Sequence, residues 1–231
     1  MNLSQIFNHR ISIVTGHYGT GKTEFAVNLA LGLAKEQDNV MIADLDIVNP
    51  YFRTADSVPE LERAGIDCFI PQFANTNVDI PSIGGEVSSV FAKQRGDNDY
   101  TAIFDVGGDN GAIAVRRYRA ELEKQGYSML FVASMYRPLT DTPEQAVEGL
   151  REIEACTSLK ATAVINNSNI GRETTENDII ASLPYIDKIC EMTSLPCLGV
   201  TLHDANIAKS LQLKYPEYDF AVIPDSTKKL F

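Results

Sequence analysis

Eight consecutive residues carry the strongest chemical signal in the chain: Gly16-His17-Tyr18-Gly19-Thr20-Gly21-Lys22-Thr23 satisfies G-x-x-x-x-G-K-[ST]. Glycines at this spacing let successive backbone N–H groups turn inward around phosphate oxygens, and a helix starting at the end of the run adds its positive N-terminus. A lysine here reaches the terminal phosphates of a nucleotide, and the hydroxyl after it binds Mg²⁺. Lys22 is thus the candidate catalytic cation and Thr23 the first candidate metal ligand. Two acidic stretches could complete the site. In Ala43-Asp44-Leu45-Asp46, period-two alternation turns both carboxylates to one side, where they could face the γ-phosphate and its metal. In Asp105-Val106-Gly107-Gly108-Asp109, an apolar run ends in an aspartate, which suits a second Mg²⁺ contact. The glycines after it let the backbone approach a phosphate and move when it leaves. Asp105 outranks Asp109 as the metal carboxylate.

These residues need strands to deliver them and helices to cover the strands. Apolar, β-branched runs at Arg10 to Thr15, Val40 to Asp44, Ile66 to Pro71, Thr101 to Asp105, Ser128 to Ser134, Ala161 to Asn166, Cys197 to Thr201 and Phe220 to Ile223 predict strands. Helical periodicity predicts helices at Lys22 to Lys35, Ile83 to Gln94, Ala112 to Gln125, Pro143 to Ala155, Glu176 to Met192 and Ala205 to Leu211. Several strands are apolar at successive positions, as expected when both faces are covered. The alternation of β and α along the chain predicts an α/β three-layer sandwich around a mostly parallel sheet, with chemistry at the carboxyl ends of the strands.

Composition agrees with one soluble domain over residues 1–231: 44% of residues are apolar and 22% charged. No apolar run is long enough to span a bilayer, and the N-terminal residues lack the basic head and apolar core of a signal peptide, so a cytoplasmic protein is expected. The net charge of −11 repels nucleic acid and anionic lipid over most of the surface. Cys68, Cys156, Cys190 and Cys197 form no CxxC pair and read as small apolar side chains in a reducing compartment. His9, His17 and His203 are too scattered for a metal cluster.

Together, Gly16 to Thr23, the D-x-D strand end at Asp44 and Asp46, and the D-x-x-G turn at Asp105 to Gly108 resemble the MinD/ParA group of P-loop ATPases, over about Arg10 to His203. The resemblance implies a P-loop NTPase sheet of seven or eight strands, bound ATP and Mg²⁺, a switch loop after Asp46, another after Asp105, and ATP-dependent homodimers. By the same resemblance Asp46 helps position the attacking water and Asp44 lies near the metal. Nucleotide contacts are expected from Gly16, His17, Tyr18, Gly19, Thr20, Gly21, Lys22, Thr23 and Glu24, and the resemblance implies that Asn166 reads adenine and that the loop at His203 lines the base. One position departs from the group, which usually carries a lysine where this chain has His17. Either His17 substitutes for it, or an arginine from a neighbouring loop such as Arg53 does, or hydrolysis is slow and the protein acts mainly as a nucleotide-dependent switch; weak intrinsic turnover is expected.

The leading function at this level is an ATP-controlled switch acting on a protein partner. A small-molecule ligase or kinase of the dethiobiotin synthetase or cobyrinic-acid amidation type is the alternative, with Arg116, Arg117 or Arg137 holding an anionic substrate. A GTPase is disfavoured because Asn166 is followed by Asn167-Ser168-Asn169 and not by K-x-D. Membrane attachment is disfavoured too, since the residues after Pro224 are too few for an amphipathic basic helix. Arg116-Arg117-Tyr118-Arg119 is the strongest basic cluster, readable as a partner patch or as a solvated face paired with Glu121 and Glu123. Tyr51-Phe52-Arg53 is either a docking patch or core packing.

Overall fold

The computed structural model describes residues 9–45, 54–69, 90–91 and 101–224, with backbone alone for 55–56 and 108–110. The strands are β1 (Ile11–Gly16), β2 (Val40–Asp44), β3 (Asp67–Phe69), β4 (Thr101–Gly107), β5 (Ser128–Ala133), β6 (Ala163–Asn166), β7 (Cys197–Leu202) and β8 (Phe220–Val222). They form one eight-stranded sheet in the order β3-β2-β4-β1-β5-β6-β7-β8, and every pairing is parallel. The helices are α1 (Lys22–Leu33), α2 (Val58–Arg63), α3 (Gly108–Arg116), α4 (Arg119–Gln125), α5 (Pro143–Thr157), α6 (Glu176–Thr193) and α7 (Ala205–Lys214).

Alternation along the strands sorts the core into two layers. Ile11, Ile13, Met41, Ala43, Phe104 and Phe131 pack on one face, with residues of α3 to α6. Val14, Ile42, Ile103, Leu130 and Ile165 pack on the other, against Phe25, Leu29 and Leu33 of α1 and Leu61 of α2. Strands buried on both faces read as continuous apolar runs, which is why their limits were legible. A third cluster joins Ile179 and Leu183 of α6 to Val200, Leu202, Leu211 and Phe220 at the β8 edge.

Two local expectations change. The helix expected over Ala112 to Gln125 is broken into α3 and α4 around Arg117 and Tyr118. The Tyr118 ring stacks on Phe91 at 4.9 Å and 19°, a contact with a segment far away in sequence that periodicity cannot foresee. The turn Thr54–Ser57 and the short helix α2 lie where no element was expected. Of the helix expected at Ile83 to Gln94, only residues 90 and 91 are described, and both are helical.

Candidate functional site

Strand order sets the site. β4 enters between β1 and β2, while β5 lies on the other side of β1, so the chain reverses its direction of travel across the sheet around β1. Ligands in open parallel sheets bind at such a reversal, outside the carboxyl ends of the strands. The Gly16–Thr23 loop leaves β1 at this point. Gly19 and Gly21 have φ of 79° and 81°, the left-handed region that glycine enters without strain. Gly16 is fixed by contact instead, because a Cβ there would sit 2.5 Å from Val132 O on β5.

Helix α1 starts directly after Gly21 with no side-chain cap, and α3 starts after Gly107 likewise. By contrast, Thr142, Thr175 and Asp204 cap α5, α6 and α7. Helix α1 thus begins without a capping side chain from its N-cap residue where its positive end meets the loop, the arrangement that suits a bound anion. Lys22 and Thr23 are buried at 4% and 7% exposure in the first turn of this helix. Glu24 follows, and its side chain accepts a bond from Asn28 Nδ2 at 3.1 Å. His17 is half-buried, and its carbonyl accepts from Thr20 Oγ1 at 2.9 Å, closing the loop on itself. Tyr18 is exposed at the loop's crest.

Asp44 and Asp105 are register partners on β2 and β4, and Val14 of β1 is the next partner along the row. Both aspartates share strand parity with Ile42 and Ile103, which pack on α1, so both carboxylates belong to the face that α1 covers. They are 3% and 1% exposed. With the Thr23 hydroxyl this is a hard-oxygen set, and hard oxygens suit Mg²⁺. Asp46 lies outside the described residues, as do Arg53 and the Tyr51-Phe52 pair. The chain on both sides of them is tied to Asp105, however. Leu45 N donates to Asp105 O at 2.8 Å, and the fully buried Thr54 donates its hydroxyl to Asp105 Oδ2 at 3.3 Å. Sequence reasoning missed Thr54, because nothing local marks it.

Asn166 is fully buried with its amide committed inside the fold. Nδ2 donates to Ser182 Oγ at 2.9 Å, and Oδ1 accepts from Ser168 N at 3.1 Å. A base contact through Nδ2, as the resemblance implies for this residue, would compete with its bonds to Ser182. The next residue is the one aimed at the loop: Asn167 Nδ2 donates to Thr20 O at 2.7 Å. A Cβ on Gly21 would lie 2.2 Å from that nitrogen, so Gly21 is required by space as well as by φ. His203 follows β7 directly and is half-buried, with Nδ1 shielded from solvent and lacking a partner among the described residues.

The remaining candidates stand apart. Arg119 pairs with Glu123 at 2.8 Å, while Arg116 and Arg117 are exposed on the last turn of α3 and just beyond it. The cysteines are free thiols; burial pushes Cys197 up to about 12, and burial with nearby Glu62 and Asp67 pushes Cys68 up to about 11. Thiols so raised stay protonated and unreactive at neutral pH. Among the described residues no group of three or more His, Cys, Asp or Glu side chains is arranged to hold a metal ion, and no helix is long and apolar enough to cross a membrane.

Gly111 offers a test of how the turn after Asp105 is seated. A Cβ there would lie 2.6 Å from Leu45 O, so α3 rests directly on the backbone leaving β2. Gly111→Ala is expected to lower stability by about 1–3 kcal/mol through forced displacement of these backbones. Urea unfolding measures it, and an unchanged midpoint would mean that α3 shifts without cost.

No family model matches the sequence, and no curated protein matches it. Solved structures do. The signal recognition particle receptor FtsY from Elizabethkingia anophelis aligns at 20% identity and a TM-score of 0.50, over 82% of this chain and 57% of that one. Chloroplast FtsY from Physcomitrella patens aligns at 16% and 0.53, over 84% and 59%. A nucleotide-binding protein from Archaeoglobus fulgidus, solved in complex with ADP, aligns at 14% and 0.50, over 92% and 90%. The chain thus spans less than two thirds of the FtsY structures. At these identities the likeness is one of fold, and the fold is that of a P-loop NTPase.

Proposed function

We propose that this chain binds Mg²⁺·ATP at Gly16–Thr23, hydrolyses it slowly, and works as a nucleotide-controlled switch on a protein partner or a second copy of itself, in the manner of the MinD/ParA group. The observation that carries the reading is the uncapped α1 N-terminus under a left-handed glycine loop, with buried Lys22 in its first turn and paired Asp44 and Asp105 on the adjacent strands. In this reading the loop N–H groups and Lys22 hold the phosphates, while Thr23, Asp44 and Asp105 hold the metal directly or through water. Mg²⁺ would supply charge neutralisation on the transferring phosphoryl group. The link from Thr54 to Asp105 gives a route from metal site to loop, because a change at that carboxylate bears on the residue that directly follows positions 46–53. Tyr18, Ile113, Leu139 and Ile170 are large apolar side chains exposed in the phosphate loop, in α3 and in the loops after β5 and β6. All four belong to segments that follow strand ends on the nucleotide side, which supports docking that responds to nucleotide. Adenine is favoured over guanine because Asn166 to Asn169 provide no carboxylate for a guanine edge.

Asp46 is assigned to orienting the attacking water. Asp46→Ala is expected to keep ATP affinity within a few-fold while lowering single-turnover hydrolysis about a hundredfold or more, on the scale of a lost general-base or water-positioning group. Fluorescent-nucleotide titration and phosphate release measure the two quantities. Undiminished hydrolysis would remove Asp46 from the mechanism. Sizing chromatography of the Asp46→Ala protein with ATP tests the switch: dimerisation or partner capture supports it, whereas ADP release stimulated by a carboxylate metabolite would favour the ligase alternative.

A further inference from the structure

We propose that Arg137, on the loop between β5 and α5, is a phosphate-binding residue that supplies positive charge to the nucleotide's phosphate chain from within the same subunit. The proposal rests on the phosphate-loop reading of Gly16–Thr23 and adds a residue to it. Arg137 lies 118 positions from Gly19 in sequence (137 minus 19), yet a Cβ built on Gly19 would be 3.7 Å from its Cδ and 3.9 Å from its Nε. The stem of the arginine therefore passes over the crest of the phosphate loop.

Its charge is available there. The side chain is exposed and has no hydrogen bond or ion pair among the described residues, while Arg119, Lys160, Lys188 and Lys214 each hold a carboxylate. In a chain of net charge −11, a guanidinium left without a carboxylate beside a phosphate loop is suited to an anion that arrives later. In the phosphate-loop reading the charge of Asp44 and Asp105 is met by Mg²⁺, and a guanidinium over the loop adds to what Lys22 and the loop N–H groups offer the phosphates.

The loop is built to hold Arg137 in place. Its carbonyl accepts from Thr140 N at 3.2 Å, and Thr140 Oγ1 donates to Ser134 O at 2.8 Å. Tyr185 OH donates to Thr140 O at 2.7 Å, and Met135 N donates to Ser168 Oγ at 2.9 Å. Pro138 fixes the next φ, and Leu139 follows at φ 67° with 64% of its surface exposed. A non-glycine residue in the left-handed region, with no burial in return, is strain that the surrounding bonds impose. The backbone of Arg137 is thus anchored while its head group is left free to meet a ligand.

The test compares the parent with Arg137→Ala, Arg137→Gln and Arg137→Lys, by titration with a fluorescent ATP analogue and competition by ATP, ADP and AMP. The exposed position makes folding of all three variants undemanding, which the thermal midpoint of the nucleotide-free proteins checks. Expected for Arg137→Ala and Arg137→Gln is an affinity loss of about tenfold or more for ATP, the scale of one charge-assisted hydrogen bond, with little change for AMP; Arg137→Lys should recover part of it. ATP affinity and single-turnover rate both within about twofold of the parent, smaller than one such bond, would overturn the proposal. So would an equal loss for ATP and AMP, which would point to the nucleoside. If the parent binds no better than Lys22→Ala, the phosphate-loop reading falls, and the role of Arg137 falls with it.

Discussion

Lys22→Ala is expected to weaken ATP binding by roughly a hundredfold or more and to remove hydrolysis, on the basis of two or more charge-assisted contacts to phosphate at about 1.5–3 kcal/mol each, combined less than additively. The structure gives the reason for so large an effect. Lys22 is 4% exposed, so its side chain is held inside the fold at the start of α1 and not free to swing into solvent. It also stands at the uncapped end of α1, where helix dipole, loop N–H groups and ammonium would act on one anion. Thermal unfolding with and without ATP separates this from misfolding. The parent should gain stability with ATP concentration by simple linkage, whereas Lys22→Ala should show a flat response from a similar starting midpoint. A variant whose midpoint still climbs with ATP would take Lys22 out of phosphate binding.

Most of the sheet was legible because the information was local. Residues 40–43 and 129–133 announce themselves as unbroken apolar runs, and the G-x-x-x-x-G-K-[ST] pattern occupies eight adjacent residues. Strand order was less so. Asp44 and Asp105 could each be read as a strand end, yet their side-by-side register depends on β4 entering between β1 and β2, which no spacing along the chain encodes. The same holds for Arg137 over Gly19 and for Thr54 on Asp105. The case of Asn166 is sharper. Neighbouring asparagines at a strand end point opposite ways, and no spacing along the chain says which amide meets the Gly16–Thr23 loop; it is Asn167, bonded to Thr20 O.

Asn167 is where that uncertainty has the largest consequence. It is 7% exposed and joins three segments: Nδ2 donates to Thr20 O at 2.7 Å, while Oδ1 accepts from Asn169 Nδ2 at 2.8 Å and from the hydroxyl of Thr201. Asn167→Ala therefore removes the amide that partners the buried Thr20 carbonyl, while Asn169 Nδ2 and the Thr201 hydroxyl keep longer bonds to Thr201 O at 3.3 Å and Asn166 O at 3.4 Å. At about 1–3 kcal/mol for the orphaned carbonyl and less for each donor that keeps a second acceptor, the expected loss of stability is about 2 kcal/mol, reduced where water enters the gap. Thr20 O lies just before Gly21, so the loss also frees the peptide that sets the entry to α1, and ATP affinity should fall along with stability. Asn167→Asp separates the two effects. It keeps an acceptor for Asn169 and Thr201 but turns the group that donated to Thr20 O into a carboxylate oxygen, repelled by that carbonyl and by incoming phosphate. Urea midpoints should therefore fall for both variants, while ATP affinity should fall further for Asn167→Asp than for Asn167→Ala. If both variants bind ATP as the parent does, the bond to Thr20 serves the fold alone, and the loop holds its shape through its glycines and the Thr20 to His17 closure.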